Sequence, residues 1–189
     1  VWNSTAGLAL NNANTYSGGT FINEGSVSLG NAACFGTGPV ILGSNGYGGN
    51  VYLVTASSVI FTNPLFVNPG GVRGFYTASA PTPTWSGLVT LVGGATFKFG
   101  PNGNSTTTFS GGTAGNGTLD ITFPQSSRTA TIMVTGGAVN HVGTLQNTLS
   151  GGGTAQINAP IGLNVTNVLQ NGAGPMVLTG TNTYSGPTT

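Results

Sequence analysis

Charge is almost absent from this chain: 3% of its 189 residues are Asp, Glu, Lys or Arg, where an ordinary soluble domain has roughly a quarter. Its three cations, Arg73, Lys98 and Arg128, are too few and too dispersed to build the basic face that nucleic-acid binding requires. The single cysteine, Cys34, excludes an intrachain disulfide framework. Flanked by Ala32, Ala33 and Phe35, it reads as a small buried hydrophobe. One His, one Cys and two acids cannot furnish the usual four ligands of zinc, and the aspartate-rich calcium repeat of some β-solenoids is missing, so neither metal nor cofactor is expected. No run of 18 apolar residues would span a membrane, and no basic-then-apolar leader opens the chain. A leader or anchor would lie on other parts of the polypeptide. The i, i+3, i+4 spacing of an amphipathic helix is absent throughout.

What remains is 34 glycines among many Val, Ile, Thr, Phe and Tyr residues. Disordered chains are poor in those β-branched and aromatic types, and strands favour them. GLALN, GTFIN and GSVSLGN read as strands of four to six residues closed by turn residues that tolerate positive φ. Their alternation turns Leu8, Leu10, Ile22, Val27 and Leu29 inward. Asn14, Asn23 and Asn31 fall where a side-chain amide can bond its own backbone or stack on the equivalent Asn of the next turn. Glycine pairs at 93–94, 111–112 and 136–137 and a triplet at 151–153 punctuate the later strands. Such irregular periods suit imperfect coils of about 20 to 24 residues. A parallel solenoid also accounts for the missing charge, because like charges stacked about 4.8 Å apart would repel along the whole column while Thr, Ser and Asn can form ladders.

Asn-Thr-Tyr-Ser-Gly stands at 14–18 and again at 182–186, an offset of 182 − 14 = 168 residues that also aligns Asn3 with Asn171, Leu10 with Leu178 and Thr20 with Thr188. Around the first copy, Leu8, Leu10, Asn14, Thr15, Tyr16, Gly18, Gly19, Thr20, Ile22, Asn23, Gly25, Leu29, Gly30, Asn31, Gly36, Thr37, Gly38 and Val40 follow one pattern. It resembles the autotransporter-associated β-strand repeat. Departures are mild: Asn12 for Gly, Val27 for Leu, Cys34-Phe35 for Ala-Leu. The resemblance implies a secreted or cell-surface bacterial passenger folded as a right-handed, single-stranded parallel β-helix, and transfers no catalytic signature. The fold expected is therefore all-β, one β-helical segment over 1–189 with about seven or eight coils.

One stretch, 63–86, breaks the alternation with Pro64, Pro69, Pro81 and Pro83. Proline is excluded from interior strands, so this stretch is expected to leave the coil as a loop. Its Arg73, Phe75, Tyr76 and Trp85 are then the candidate partner-binding residues, although the same side chains could instead pack the loop onto the coil. GSNGYGGN at 43–50 reads as a flexible turn; it lacks the Lys and following helix of a phosphate-cradling loop.

Enzymatic readings fare poorly. Glycoside hydrolysis needs two carboxylates within about 5 to 10 Å, whereas Glu24 and Asp120 should be about four coils, or about 20 Å, apart. His141, even beside Ser126 or Ser150, lacks the nucleophile turn and orienting carboxylate of a hydrolase, and is expected to be a partly exposed strand residue. The functional expectation is a non-enzymatic extracellular structural or adhesive protein whose stacked coils form a fibre or rod. Self-association, end to end or lateral, is expected because no cap over the terminal coils is recognisable. The alternative is a binding module for glycan, host protein or ice. Thr106–Thr108 with Thr129, Thr131 and Thr135 could contribute to an ice-type array, which would need Thr-x-Thr in every coil.

Overall fold

A computed structural model describes residues 1–44, 48–78, 81–122 and 130–189. Ser126, Arg128, Thr129 and the middle of the 43–50 glycine cluster lie outside them. Strands follow one another round a coil: β1 (Trp2–Leu10), β2 (Thr20–Leu29), β3 (Val40–Leu42), β4 (Val51–Thr55), β5 (Ile60–Phe61), β6 (Leu65–Val67), β7 (Arg73–Thr77), β8 (Thr84–Trp85) and β9 (Val89–Pro101). Next come β10 (Thr106–Phe109), β11 (Thr113–Ile121), β12 (Thr131–Val134), β13 (Val142–Asn147), β14 (Thr154–Ile157), β15 (Val165–Gln170) and β16 (Met176–Leu178). Among the described residues there is no helix.

Among the described residues every strand pairing is parallel. A ten-stranded sheet runs β15-β13-β11-β9-β6-β3-β2-β4-β7 with β1 on β2, and a six-stranded sheet runs β16-β14-β12-β10-β8-β5. In two turns the long strand is broken into halves: β3 and β4 both pair with β2, and β6 and β7 both pair with β9. The result is a parallel β-solenoid of about seven turns, with eight rungs in the long sheet. At the strand spacing those rungs rise roughly 34 Å.

Register is kept from turn to turn. Thr20, Val40, Leu65, Val89, Thr113, Val139 and Ile161 stand in one column. Inward-pointing side chains fill the coil, and the centre is aromatic. Trp85 packs on Phe61 and Phe75 with ring centroids 5.4 Å away in each case and on Phe35 at 6.2 Å, while Phe75 meets Phe99 at 6.2 Å and Phe99 meets Phe109 at 5.6 Å. Each such pair contributes about 0.5–1.5 kcal/mol beyond area burial. Ile22, Val27 and Leu29 are buried as the alternation requires, and Leu8 and Leu10, on the outermost rung, are half-buried against the same core. Cys34 is buried beside Phe35, and burial raises its thiol pKa to about 11.

Asparagine amides stitch the corners. Asn14 Nδ2 donates to Cys34 O (2.7 Å), Asn63 Nδ2 to Gly38 O (2.7 Å), Asn68 Nδ2 to Gly43 O (2.8 Å) and Asn147 Nδ2 to Gly174 O (2.8 Å), each reaching a neighbouring turn. Asn31 Oδ1 accepts the Ala33 amide of its own turn, and Asn23 Nδ2 donates to Asn3 Oδ1 on the rung beside it.

One expectation is corrected by the strand pairings. The described residues of the 63–86 stretch do not leave the coil: β6 and β7 lie in the long sheet and β8 in the six-stranded sheet, all in register. Pro64 and Pro83 are tolerated because a missing N–H matters little at strand entry, where the carbonyls still accept. Pro64 O takes the Val40 amide and Pro83 O the Thr108 amide. The two Asn-Thr-Tyr-Ser-Gly copies keep one local structure, with Tyr16–Thr20 and Tyr184–Thr188 hydroxyl pairs at 2.6 and 2.7 Å. They do not keep one phase, however. Thr20 heads the column ending at Ile161, while Thr188 pairs with Val168, in the column of Phe97, Leu119 and Leu145.

Candidate functional site

The four residues nominated from the sequence are all buried, so they do not form an exposed binding loop. Phe75 and Trp85 belong to the aromatic core. Arg73 stands in the column between Val51 and Phe97. Its guanidinium reaches the loop between β3 and β4, donating to Gly49 O, and burial lowers its pKa. Tyr76 points outward but lies flat, its ring occupying the space a Cβ on Gly74 would need. It packs on Tyr52 at 5.9 Å between ring centroids, and its phenol pKa is raised, first by burial and then by Tyr52 and Asp120.

That outer face holds most of the chain's charge. The register sets Ser26, Tyr52, Gly74, Lys98, Asp120 and Gln146 in one outward row, one per turn. Lys98 Nζ meets Asp120 Oδ2 at 2.6 Å, and Asp120 Oδ1 accepts from Thr148 Oγ1 at 2.6 Å. Opposite charges on adjacent rungs attract where like charges would repel, which permits an ion pair in a stack hostile to charge. Glu24 lies farther along the same face, over Gly49, where an added Cβ would come within 2.5 Å of its own.

Three adjoining hollows follow the row. The central one, about 420 Å³, is lined by Tyr52, Tyr76, Lys98, Asn102 and Thr122. It shares Tyr52 with a hollow of about 400 Å³ beside Glu24. On the other side it shares Lys98 with one of about 490 Å³ that reaches Asp120 and Gln146. Together they form a groove parallel to the solenoid axis. Asn102 Oδ1, at its edge, is buried with no hydrogen-bond partner among the described residues.

The six-stranded sheet offers a different surface. Thr106, Thr131 and Thr154 are stacked in register beside a hollow of about 400 Å³ that also touches Thr82. Thr-x-Thr occurs as Thr82/Thr84 and Thr106/Thr108, but Met133 and Gln156 interrupt the second row.

Glu24 and Asp120 are separated by the four strand steps β2-β4-β7-β9-β11, about 19 Å at the strand spacing. His141, expected to be partly exposed, is buried. Its Nε2–H donates to Thr144 O (3.0 Å) and its Nδ1 accepts from Thr113 Oγ1 (2.8 Å), which itself accepts the Asn140 amide. Burial lowers its pKa. Among the described residues no cluster of three or more His, Cys, Asp or Glu could hold a metal ion.

The groove escaped the sequence reading, which nominated Tyr76 and none of its partners. Its signal is the turn length: Lys98 and Asp120 are 22 residues apart, as Tyr52 and Gly74 are.

Residues 5–29 and 168–189 match the passenger-associated-transport-repeat family, the two stretches that contain or flank the Asn-Thr-Tyr-Ser-Gly copies. The chain carries that repeat twice. A passenger-associated-transport-repeat belongs to autotransporter passengers, so the repeat and the parallel solenoid together support a surface-associated β-helix passenger, secreted or held at a bacterial cell surface. No curated protein and no solved structure matches the chain.

Proposed function

We propose that this chain is a non-enzymatic strut of a bacterial surface passenger, whose stacked turns form a rod and whose outer face adheres. The observation that carries this reading is the continuous parallel register: the column from Thr20 to Ile161 passes through every turn between them. Backbone hydrogen bonds therefore run along the rod axis and resist bending. Two facts support the non-enzymatic part: the carboxylates are four strand steps apart, and both nitrogens of the histidine are engaged inside the protein. Lateral self-association is the second reading. It is favoured by Phe21, Ile41 and Phe66 on successive rungs of one outward row, with Phe21 and Phe66 each more than a third exposed.

Labelling intact producing cells with an antibody to this chain, followed by cryo-electron tomography, tests the proposal. Surface label on rods of uniform width is expected. Label that binds only after lysis would refute it.

A further inference from the structure

We infer that the groove over Tyr52, Tyr76 and Lys98 binds a linear, neutral glycan. The inference rests on the reading of the chain as an exposed passenger segment, and it assigns the adhesive face to particular residues. The first argument is distribution. Of the five charged side chains in the whole sequence (3 basic and 2 acidic), Glu24, Lys98 and Asp120 line this one groove. Three of the five charges thus gather on one face of a stack that disfavours them.

The second argument is shape. From Ser26 to Gln146 the row crosses five strand steps, about 24 Å of open channel parallel to the axis. That suits an extended chain better than a compact ligand. A peptide cannot dock there as an added strand, since these strands already pair with the turns on either side and the groove lies over the sheet face. Recognition must come from side chains.

The third argument is chemical. Tyrosine presents an apolar face and a polar tip, suited to the mixed CH and OH surface of a sugar ring, and Tyr52 is partly exposed in the groove beside Tyr76. The acceptors left open are Glu24 and the amide oxygen of Asn102, which lines the central hollow with no donor among the described residues. Buried acceptors seek donors, and sugar hydroxyls supply them. An anionic chain would meet two carboxylates against one ammonium, and that ammonium is already paired with Asp120.

Isothermal titration of the purified chain against cellohexaose, maltohexaose, laminarihexaose and xylohexaose, with hexagalacturonate as the anionic probe, tests the inference. At least one neutral hexaose should bind. Tyr52→Ala and Asn102→Ala should each weaken it about tenfold or more, and Thr106→Ala on the opposite sheet should leave it unchanged; urea midpoints confirm that each variant is folded. Absence of binding to every neutral probe, tighter binding of hexagalacturonate, or binding that survives both groove variants would overturn it. Tomography reads the strut separately: surface rods that bind no neutral glycan sink only this inference, whereas label confined to lysed cells sinks the passenger reading itself.

Discussion

Replacing Trp85 with alanine separates a core residue from a loop residue by its effect on stability. In the structure Trp85 is fully buried and touches Phe35, Phe61 and Phe75, with ring centroids 5.4–6.2 Å away. Truncating a core Trp costs about 3–5 kcal/mol through lost transfer energy and the cavity left behind. The loss of three ring contacts puts this site toward the upper end, while relief of its buried indole N–H, which has no acceptor among the described residues, acts in the opposite direction. The net expectation is about 4 kcal/mol. With a urea slope of about 2 kcal/mol/M, the midpoint followed by far-ultraviolet circular dichroism should fall by about 2 M. Trp85→Phe, which keeps the ring packing and removes the orphan donor, should shift it much less. Were the 63–86 stretch a projecting loop, Trp85→Ala would change stability by no more than about 0.5 kcal/mol. A loss below about 1 kcal/mol would therefore refute the aromatic core.

Three further outcomes are expected. The neutral form of His141 is favoured in the fold, its pKa lying below the ordinary 6.5. Stability is then complete above pH 6.5 and declines as the pH falls from there toward the folded value; His141→Gln should flatten chemical-denaturation midpoints between pH 7 and 5, and an unchanged slope would contradict the buried assignment. Gly74→Ala forces a Cβ into the ring of Tyr76. It should cost about 1–3 kcal/mol by overpacking and shift Tyr76 resonances in NMR spectra; silence in both would show that Tyr76 does not lie over Gly74. Cys34, buried with its thiol pushed up to about 11, should resist maleimide at pH 8 in the native protein and react within minutes in urea; comparable native and denatured rates would place it at the surface.

The architecture was legible because it is written locally: Ile22, Val27 and Leu29 alternate, glycine and asparagine mark corners, and the scarcity of charge follows from stacking. What depends on knowing which residue lies above which was not legible. Proline was read as a strand breaker, yet Pro64 and Pro83 sit at strand entries where only their carbonyls are used. Arg73 looked like a surface group because an arginine among core residues needs a loop carbonyl, here Gly49 O, that lies 24 residues away. The two Asn-Thr-Tyr-Ser-Gly copies were legible as one repeat, whereas their placement in different columns follows from turns of unequal length. The groove depends on the same information, since Tyr52, Lys98 and Asp120 become neighbours only when the period is fixed.

Stacking in register is the central claim, and the row Ile60, Thr84, Thr108, Met133, Gln156, Val177 offers a ruler for it. Ile60 and Val177 are 57% and 40% exposed, so each accepts a spin label as cysteine in a Cys34→Ala background. Double electron–electron resonance on that pair should give a narrow distribution centred near five strand steps, about 24 Å, and moving the second label from 177 to 156 should shorten it by about one step. A broad distribution, or a mean beyond about 35 Å, would contradict the parallel stack.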